Sequence, residues 1–253
     1  IATLEEMSSR GHDLDWVAER LAFFWAPAND FFEEVARIRA VRRLWYRIMK
    51  YRFGAQKPRS MWMRCHVQTS GVSLTREEPM NNVMRAAYHA LAAVLGGAQS
   101  LHVDSYDEAY SVPSQEASLL SLRTQQLIES ETQVTQVVDP LGGSFYVEAL
   151  TNDIEKRILD EVDEIERLGG IVKVVDSGWL HNKVIRHIER EQRMIADGDI
   201  KVVGRNYHRA PDLKMPDVWV HEYDEKIAGQ MWDKLARIRQ HRDNEKASNS
   251  LSA

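Results

Sequence analysis

Residues Arg64–Pro113 read RCHVQTSGVSLTREEPMNNVMRAAYHALAAVLGGAQSLHVDSYDEAYSVP, and this stretch decides the fold. Two short apolar-rich runs, Met61–Val67 and Gln99–Val103, each lead into a polar, turn-forming cluster. Between them, Asn81–Leu95 spaces its apolar residues as a helix does, and Gly96-Gly97 is a typical helix stop. The pattern predicts a strand–loop–helix–strand–loop unit whose polar residues gather where its strands end. In parallel α/β folds, ligands bind at that edge.

The same alternation continues on both sides of this stretch. Leu21–Trp25 is a wholly apolar run, which predicts a strand buried on both faces. Helices are predicted for Ala2–Arg20 with a break near Gly11, Phe31–Arg52 capped by Asn29 or Asp30, Ser114–Thr132, Asn152–Leu168, Val184–Ala196 and Asp224–Lys246. The Ser114–Thr132 helix has Ser114 as its cap and an apolar face of Leu119, Leu120, Leu122, Leu127 and Ile128. Lys201–Tyr207 is a candidate short strand, and the closing residues SNSLSA read as a frayed end.

Three strand–helix pairs in succession between Leu21 and Thr132 predict a parallel sheet, either as a barrel or as an open doubly wound sheet. The 253 residues are 43% hydrophobic and 28% charged, which is ordinary for a globular protein. The formal net charge of -5 argues against a nucleic-acid-binding surface. No apolar run approaches the roughly 20 residues that span a bilayer, so we expect no membrane segment and a cytoplasmic location.

The chain begins with Ile1 rather than methionine, and a helical pattern starts at once. We therefore expect a fragment, or one piece of a larger polypeptide or complex. A single cysteine, Cys65, excludes an intrachain disulfide and a cysteine-cluster metal site. As a nucleophile Cys65 lacks a visible base.

Polar residues at two strand ends are the candidates for ligand binding. Gln68, Ser70 and Gly71 follow one strand, and glycine there would let a ligand approach the backbone. An ordinary strand-to-helix turn explains the same residues. Asp104, Asp107 and Glu108 follow the next strand, where carboxylates could bind hydroxyls, amides or a metal, or simply form a solvated helix start.

Other residues give weaker signals. His66 and His102 lie within predicted strands, which favours histidines satisfied inside the core over metal ligands. Three arginines lie beside predicted strands: Arg20, Arg59 and Arg64. Arginine is suited to binding phosphate or carboxylate, but in a chain with 33 basic residues each one alone is weak evidence for a site. The sequence has no P-loop, nucleophile elbow or dinucleotide fingerprint.

Several long motifs resemble one family. RCHVQTSGVSLT at 64–75, GGAQSLHVDSYDEA at 96–109 and VDPLGGSFYVEALT at 138–151 are similar to the large catalytic subunit of methylmalonyl-CoA mutase and its relatives. These relatives are the adenosylcobalamin-dependent acyl-CoA mutases, including isobutyryl-CoA, 2-hydroxyisobutyryl-CoA and ethylmalonyl-CoA mutases. The resemblance extends from about Leu14 to about Tyr207.

The resemblance implies a TIM barrel with the CoA chain along its axis and cobalamin across the carboxyl-terminal face of its strands. Residues 1–135 would be the last three βα units of that (β/α)8 barrel, 136–210 a helical extension packed on it, and 211–253 a linker with a charged helix. It further implies an isomerase that rearranges the carbon skeleton of a branched acyl-CoA by radical chemistry. On this basis we expect Gln68, Gln99 and Glu108 to share one rim.

The resemblance also assigns residues. Those matching cofactor-contacting positions are Gln68 at the adenosyl ribose, Gly71 under the corrin, Glu108 beside the cofactor and Ser111 at a further corrin contact. Gln99 matches a position near the acyl-CoA, and Arg20 one on the CoA side. Four positions depart from the family pattern: Asp104 replaces asparagine, Val72 tryptophan, Ala22 a serine that contacts CoA, and Arg59 lysine. These departures suggest a different acyl group.

The family's upstream half-barrel, with its tyrosine, arginine and catalytic histidine, is not in this sequence, and neither is its cobalamin-binding Asp-x-His-x-x-Gly motif. We therefore expect no catalytic residue and no metal ligand here. The cobalt ligand would come from another domain or a small subunit, and the protein would be a dimer or hetero-oligomer. Two alternatives stay open: a non-catalytic partner or degenerate paralogue of such a mutase, and an unrelated α/β binding domain.

Overall fold

A three-stranded parallel sheet lies in the larger of two compact units, Ile1–Trp219. The computed structural model describes residues 1–210, 212 and 217–251. The strands are β1 (Phe23–Trp25), β2 (Cys65–Gln68) and β3 (Ser100–His102), with β2 between the other two. In the pairing of β1 with β2, Phe24 lies opposite His66. In the pairing of β2 with β3, Gln68 lies opposite His102. The predicted parallel sheet is confirmed, although each strand is shorter than the apolar run that predicted it.

Helices make up most of the described chain. They are α1 (Ala2–Ser9), α2 (Leu14–Ala18), α3 (Phe31–Arg47) continued by a π turn (Ile48–Arg52), α4 (Asn81–Gly96), α5 (Gln115–Glu131), α6 (Phe145–Arg167), α7 (Ile171–Asp176), α8 (Trp179–Asp197), α9 (Glu225–His241) and α10 (Asn244–Leu251). The predicted caps are confirmed, because Asp30 accepts from the amide of Glu33 and Ser114 from that of Ala117. None of the described helices has the length and apolar character needed to cross a membrane.

The predicted helix Val184–Ala196 is α8, which begins earlier, at Trp179. The structure also differs from the prediction at four other places in the second half of the chain. Helix α6 begins at Phe145 rather than Asn152, because the Ser144 hydroxyl caps it there by accepting from the amide of Val147. Helix α7 was not predicted, since the glycines around it read as a loop. The candidate strand Lys201–Tyr207 forms only one bridge, between Val203 and Tyr207.

The fourth difference lies in the second compact unit, Val220–Ala253, where two helices replace the single predicted helix Asp224–Lys246. Asp243 breaks the helix and caps the second part, since its carboxylate accepts from the amide of Lys246. Part of the predicted linker (211 and 213–216) and part of the predicted frayed end (252–253) lie outside the described residues. The rest of that end, through Leu251, belongs to α10.

Helices α3 and α4 cover one face of the sheet. Alternate strand residues point toward them, and Cys65 and Val67 form a buried cluster with Ile38 of α3 and Ala93 of α4. Gly96 allows the two helices to approach closely, because it has no side chain. A Cβ at this position would lie only 2.9 Å from the Cβ of Ile38. Helix α6 then packs along α3 through a second buried cluster.

The opposite face of the sheet is uncovered in the described chain. We call it the inner face, and it consists of Phe24, His66, Gln68, Ser100 and His102. The Phe24 side chain is 61% exposed, so the prediction of a strand buried on both faces was wrong. The two histidines do not lie in the core: His66 is half-buried and His102 is exposed. Apolar content could not reveal this, because the exposed face of β1 is as apolar as its buried face.

Helix α5 is also less covered than its sequence predicted. Its buried residues are Ala117, Thr124 and Ile128, whereas Leu119, Leu122 and Leu127 remain about half exposed. The apolar face predicted for α5 is therefore buried mainly at Ile128.

The amino end of α4 fixes the loops that follow β2 and β3. Asn82 is fully buried, and its side-chain amide donates to the carbonyls of Thr75 and Tyr106. Its carbonyl oxygen accepts from the amide of Thr75 and from Arg85, which also reaches the carbonyl of Val203. One side chain thus joins both loops that carry the candidate site.

We predict that Asn82→Ala lowers the free energy of unfolding by about 2–4 kcal/mol, because it leaves buried backbone groups without partners. Thermal or denaturant unfolding of the complete protein that contains this chain would measure the change. The control is Asn81→Ala, which removes one hydrogen bond to Glu78. Equal losses for the two variants would contradict this role of Asn82.

Candidate functional site

Gln68 and Asp104 meet at the carboxyl edge of the sheet, where β2 and β3 end. The Gln68 Nε2 donates to Asp104 Oδ1 at 2.8 Å. The position of Asp104 is fixed by its own backbone, since its amide donates to the Thr69 hydroxyl at 2.8 Å. Thr69 and Ser70 are in turn bonded to the carbonyls of His102 and Pro27, so the ends of all three strands are tied together.

Gly71 leaves a space at this edge. A Cβ built on it would lie 3.3 Å from Glu108 Cγ and 3.4 Å from Asp104 Oδ2. A side chain at position 71 would therefore crowd both acidic residues. Val72 follows with 88% of its surface exposed, next to this space.

The acidic residues at this edge repel one another. Burial raises the pKa of Asp104, although the bond from Gln68 and the nearby His102 oppose the shift. Burial also raises the pKa of Glu108, and the charges of Asp104 and Asp107 raise it further. The described residues contain no group of His, Cys, Asp and Glu arranged to hold a metal ion.

Asp107 supports the loop. Its Oδ2 accepts from the amide of Ser114, and its carbonyl accepts from the amides of Tyr110 and Ser111. Ser111 is half-buried on this same loop. Of the three acids predicted from sequence, Asp107 therefore stabilises the loop, while Asp104 and Glu108 border the space at Gly71.

Basic residues gather at the opposite, amino edge of the sheet. Arg20, Arg59 and Arg64 line a cleft of about 440 Å³ with one acid, Glu19. Arg64 is fixed by donating to the carbonyls of Glu19 and Leu21, while the Arg20 guanidinium stacks over the ring of Trp16 at 3.9 Å. Exposed Ala22 lies immediately before β1. Three cations against one carboxylate make this cleft suited to an anion.

Gln99 lies at the amino edge, so the expectation that it shares a rim with Gln68 and Glu108 was wrong. It precedes β3, and its Oε1 accepts from the amide of Cys65 at the start of β2. Its Nε2 donates to the carbonyl of Gly97. The apolar pattern predicted Gln99–Val103 as a single strand. It did not indicate that Gln99 lies at the amino end of that strand, whereas Gln68 lies at the carboxyl end of β2.

The inner face connects the two edges. His66 Nδ1 and Ser100 Oγ are 2.5 Å apart, and the rings of His66 and Phe24 are 5.4 Å apart. His102 Nε2 lies 3.5 Å from Asp104 Oδ1. The described structure thus has an open, mixed polar and aromatic surface between a basic edge and an acidic edge.

Comparison with known proteins identifies the family. The sequence model of the family described as methylmalonyl-CoA mutase matches residues 1–253. The chain belongs to the methylmalonyl-CoA mutase family. It is 42% identical over 253 residues to the 2-hydroxyisobutanoyl-CoA mutase large subunit of Aquincola tertiaricarbonis, covering 99% of this chain and 44% of that protein.

Other members of the methylmalonyl-CoA mutase family are similar over shorter shares of their length. The methylmalonyl-CoA mutase of Cereibacter sphaeroides is 44% identical over 201 residues, which cover 79% of this chain and 28% of that protein. The mitochondrial methylmalonyl-CoA mutase of Homo sapiens is 36% identical over 243 residues, which cover 96% of this chain and 32% of that protein. This chain therefore spans less than half the length of these relatives.

We predict that Asp104→Asn stabilises the folded protein at neutral pH. A carboxyl group whose pKa is raised by folding holds more protons in the folded state. The free energy of unfolding therefore falls as pH rises from its unfolded pKa through its folded pKa, and asparagine removes that fall. Thermal unfolding of the complete protein across a pH series would measure it, with exposed Asp163→Asn on α6 as the control. Superimposable pH profiles for Asp104→Asn and wild type would contradict the prediction.

Proposed function

We propose that this chain is part of an adenosylcobalamin-dependent acyl-CoA mutase, which rearranges the carbon skeleton of a branched acyl-CoA. The observation that carries the proposal is the space at Gly71, bordered by Glu108 and Asp104 beside an uncovered sheet face. Family membership supports it, because the family's sequence model matches residues 1–253. The non-catalytic alternative gains no support, since Gln68, Gly71 and Glu108 are all retained together.

We further propose that the sheet is the last part of a TIM barrel, completed by the rest of the protein. The uncovered inner face would then face the barrel interior. Two features favour this arrangement: β1 and β3 are edge strands in the described chain, and leucines of α5 remain exposed. Unpaired sheet edges and exposed apolar surface are normally covered by further structure. In this proposal residues 136–210 are a helical extension and 211–253 a linker with a charged helix.

The cofactor would lie over the carboxyl edge. We place a planar ring above Gly71, because a side chain there would crowd Glu108 and Asp104, and because Asp104 Oδ2 is a buried oxygen without a hydrogen-bond partner there. Gln68 and Glu108 would hold the nucleoside part, with Val72 and Ser111 at the ring. Homolysis of its cobalt–carbon bond is the radical chemistry that this cofactor supplies when bound. The chain's own residues would bind it, orient it and exclude water.

The acyl-CoA would enter from the amino edge. Arg20 and Arg59 are suited to its phosphates, and Ala22 and Gln99 lie at the same edge. The pantetheine arm would cross the inner face, which is about 13 Å long for a four-residue strand. The residues that hold the acyl group, the cobalt ligand and a cobalamin-binding domain or small subunit would come from outside this chain.

A crossed mutational experiment on the complete protein tests this division of the sheet. We expect Glu108→Ala and Gln68→Ala to weaken adenosylcobalamin binding by roughly tenfold or more, since each removes a polar contact. We expect neither variant to change the KM for acyl-CoA by a comparable factor. Spectroscopic titration and steady-state kinetics would provide the two measurements.

Arg59→Ala is the matched variant at the other edge. It should raise the KM for acyl-CoA and leave cofactor affinity within about twofold, because it lies a full strand length away. A loss of cofactor affinity in Arg59→Ala equal to that in Glu108→Ala would contradict the assignment of the two edges. Normal cofactor binding in Glu108→Ala and Gln68→Ala together would contradict the cofactor site.

A further inference from the structure

Asp104 is a buried acid with one oxygen that no donor reaches. Only 2% of the residue is exposed. Its Oδ1 accepts from Gln68, while its Oδ2 is buried without a hydrogen-bond partner. A buried carboxylate oxygen in this state is unfavourable, because it has lost water and gained nothing in return.

The groups that face Asp104 do not neutralise it. Gln68 at the end of β2 is uncharged, and Asp107 and Glu108 from its own loop are acids. From β3, His102 Nε2 lies 3.5 Å from Oδ1, the oxygen that already accepts from Gln68. His102 pairs with Asp104 as a cation only when its imidazole is protonated, and 57% of its side chain is exposed to solvent.

A ligand above Gly71 would worsen this imbalance. Asp104 Oδ2 and Glu108 Oε1 lie 3.4 and 3.7 Å from the point that a Cβ on Gly71 would occupy, so both border the same space. A large ring that covers this space removes water from the exposed carboxyl group of Glu108, while that of Asp104 is already buried. Two adjacent negative charges in a dry site repel strongly, and the usual outcome is that one of them takes a proton.

We propose that binding of the cofactor over Gly71 is coupled to the uptake of one proton from solvent, and that Asp104 Oδ2 carries this proton. The inference rests on the proposed function and adds a protonation state to it. Neutral Asp104 keeps Oδ1 as the acceptor for Gln68 and gains a donor on Oδ2, directed at the space that Glu108 also borders. Glu108 then remains an anion that can accept hydrogen bonds. A protonated aspartic acid resembles asparagine, the residue that the family resemblance gives for this position, because each has an acceptor oxygen on one terminal atom and a donor on the other.

Isothermal titration calorimetry of the complete protein with adenosylcobalamin tests the inference. Repeating the titration in two buffers of different ionisation enthalpy gives the number of protons taken up for each cofactor bound. We expect about one proton for the wild type, and an affinity that falls about tenfold per pH unit where the free pair is ionised. Asp104→Asn should bind the cofactor with no uptake and with no such pH dependence.

Two controls locate the proton. Asp163→Asn, an exposed acid on α6, should behave as wild type. His102→Gln should retain the uptake, and loss of uptake in this variant but not in Asp104→Asn would place the proton on His102 and overturn the inference. Wild-type binding without uptake would overturn the inference alone and leave the cofactor site intact. If the wild type does not bind adenosylcobalamin at all, the proposed function and the inference both fail.

Discussion

Helices cover only one face of the sheet, and the site depends on this asymmetry. Cys65 and Val67 are buried against Ile38 and Ala93, so the alternate residues of β2 must point the other way. That alternation directs the half-buried Gln68 and His66 toward a surface with no layer over it in the described chain. A strand with period-two geometry cannot bury both sets unless a second layer is added.

The two edges of the sheet acquire different chemistry from the loops attached to them. At the carboxyl edge, Asn82 joins the loops after β2 and β3 and holds Gly71 and Glu108 close together. At the amino edge, Arg64 is anchored to backbone carbonyls beside Arg20 and Arg59. Because one edge carries cations and the other carries carboxylates, a long ligand with charged groups would bind across the inner face in one orientation.

Local signals in the sequence predicted the elements well. Gly96-Gly97 ends α4 as expected, and Asp30 and Ser114 cap α3 and α5, because each of these features depends on a few adjacent residues. Phe24, His66 and His102 were assigned to the core wrongly. Their exposure depends on which layers pack on the sheet, and no local pattern records that.

The candidate site was predictable in part. Glycine and acids after strands indicated the carboxyl edge, and the structure brings Gln68, Gly71, Asp104 and Glu108 together there. The Asn82 and Arg85 network was not predicted, because its partners are backbone groups far apart in sequence. The position of Gln99 required the strand register, which composition does not give.

A structure of the complete protein with adenosylcobalamin bound tests the central claim most directly. The corrin should lie above Gly71, with Gln68 and Glu108 within hydrogen-bonding distance of the cofactor and the inner face enclosed as a channel. A corrin bound elsewhere, or an inner face filled by packed side chains from the rest of the protein, would contradict the account.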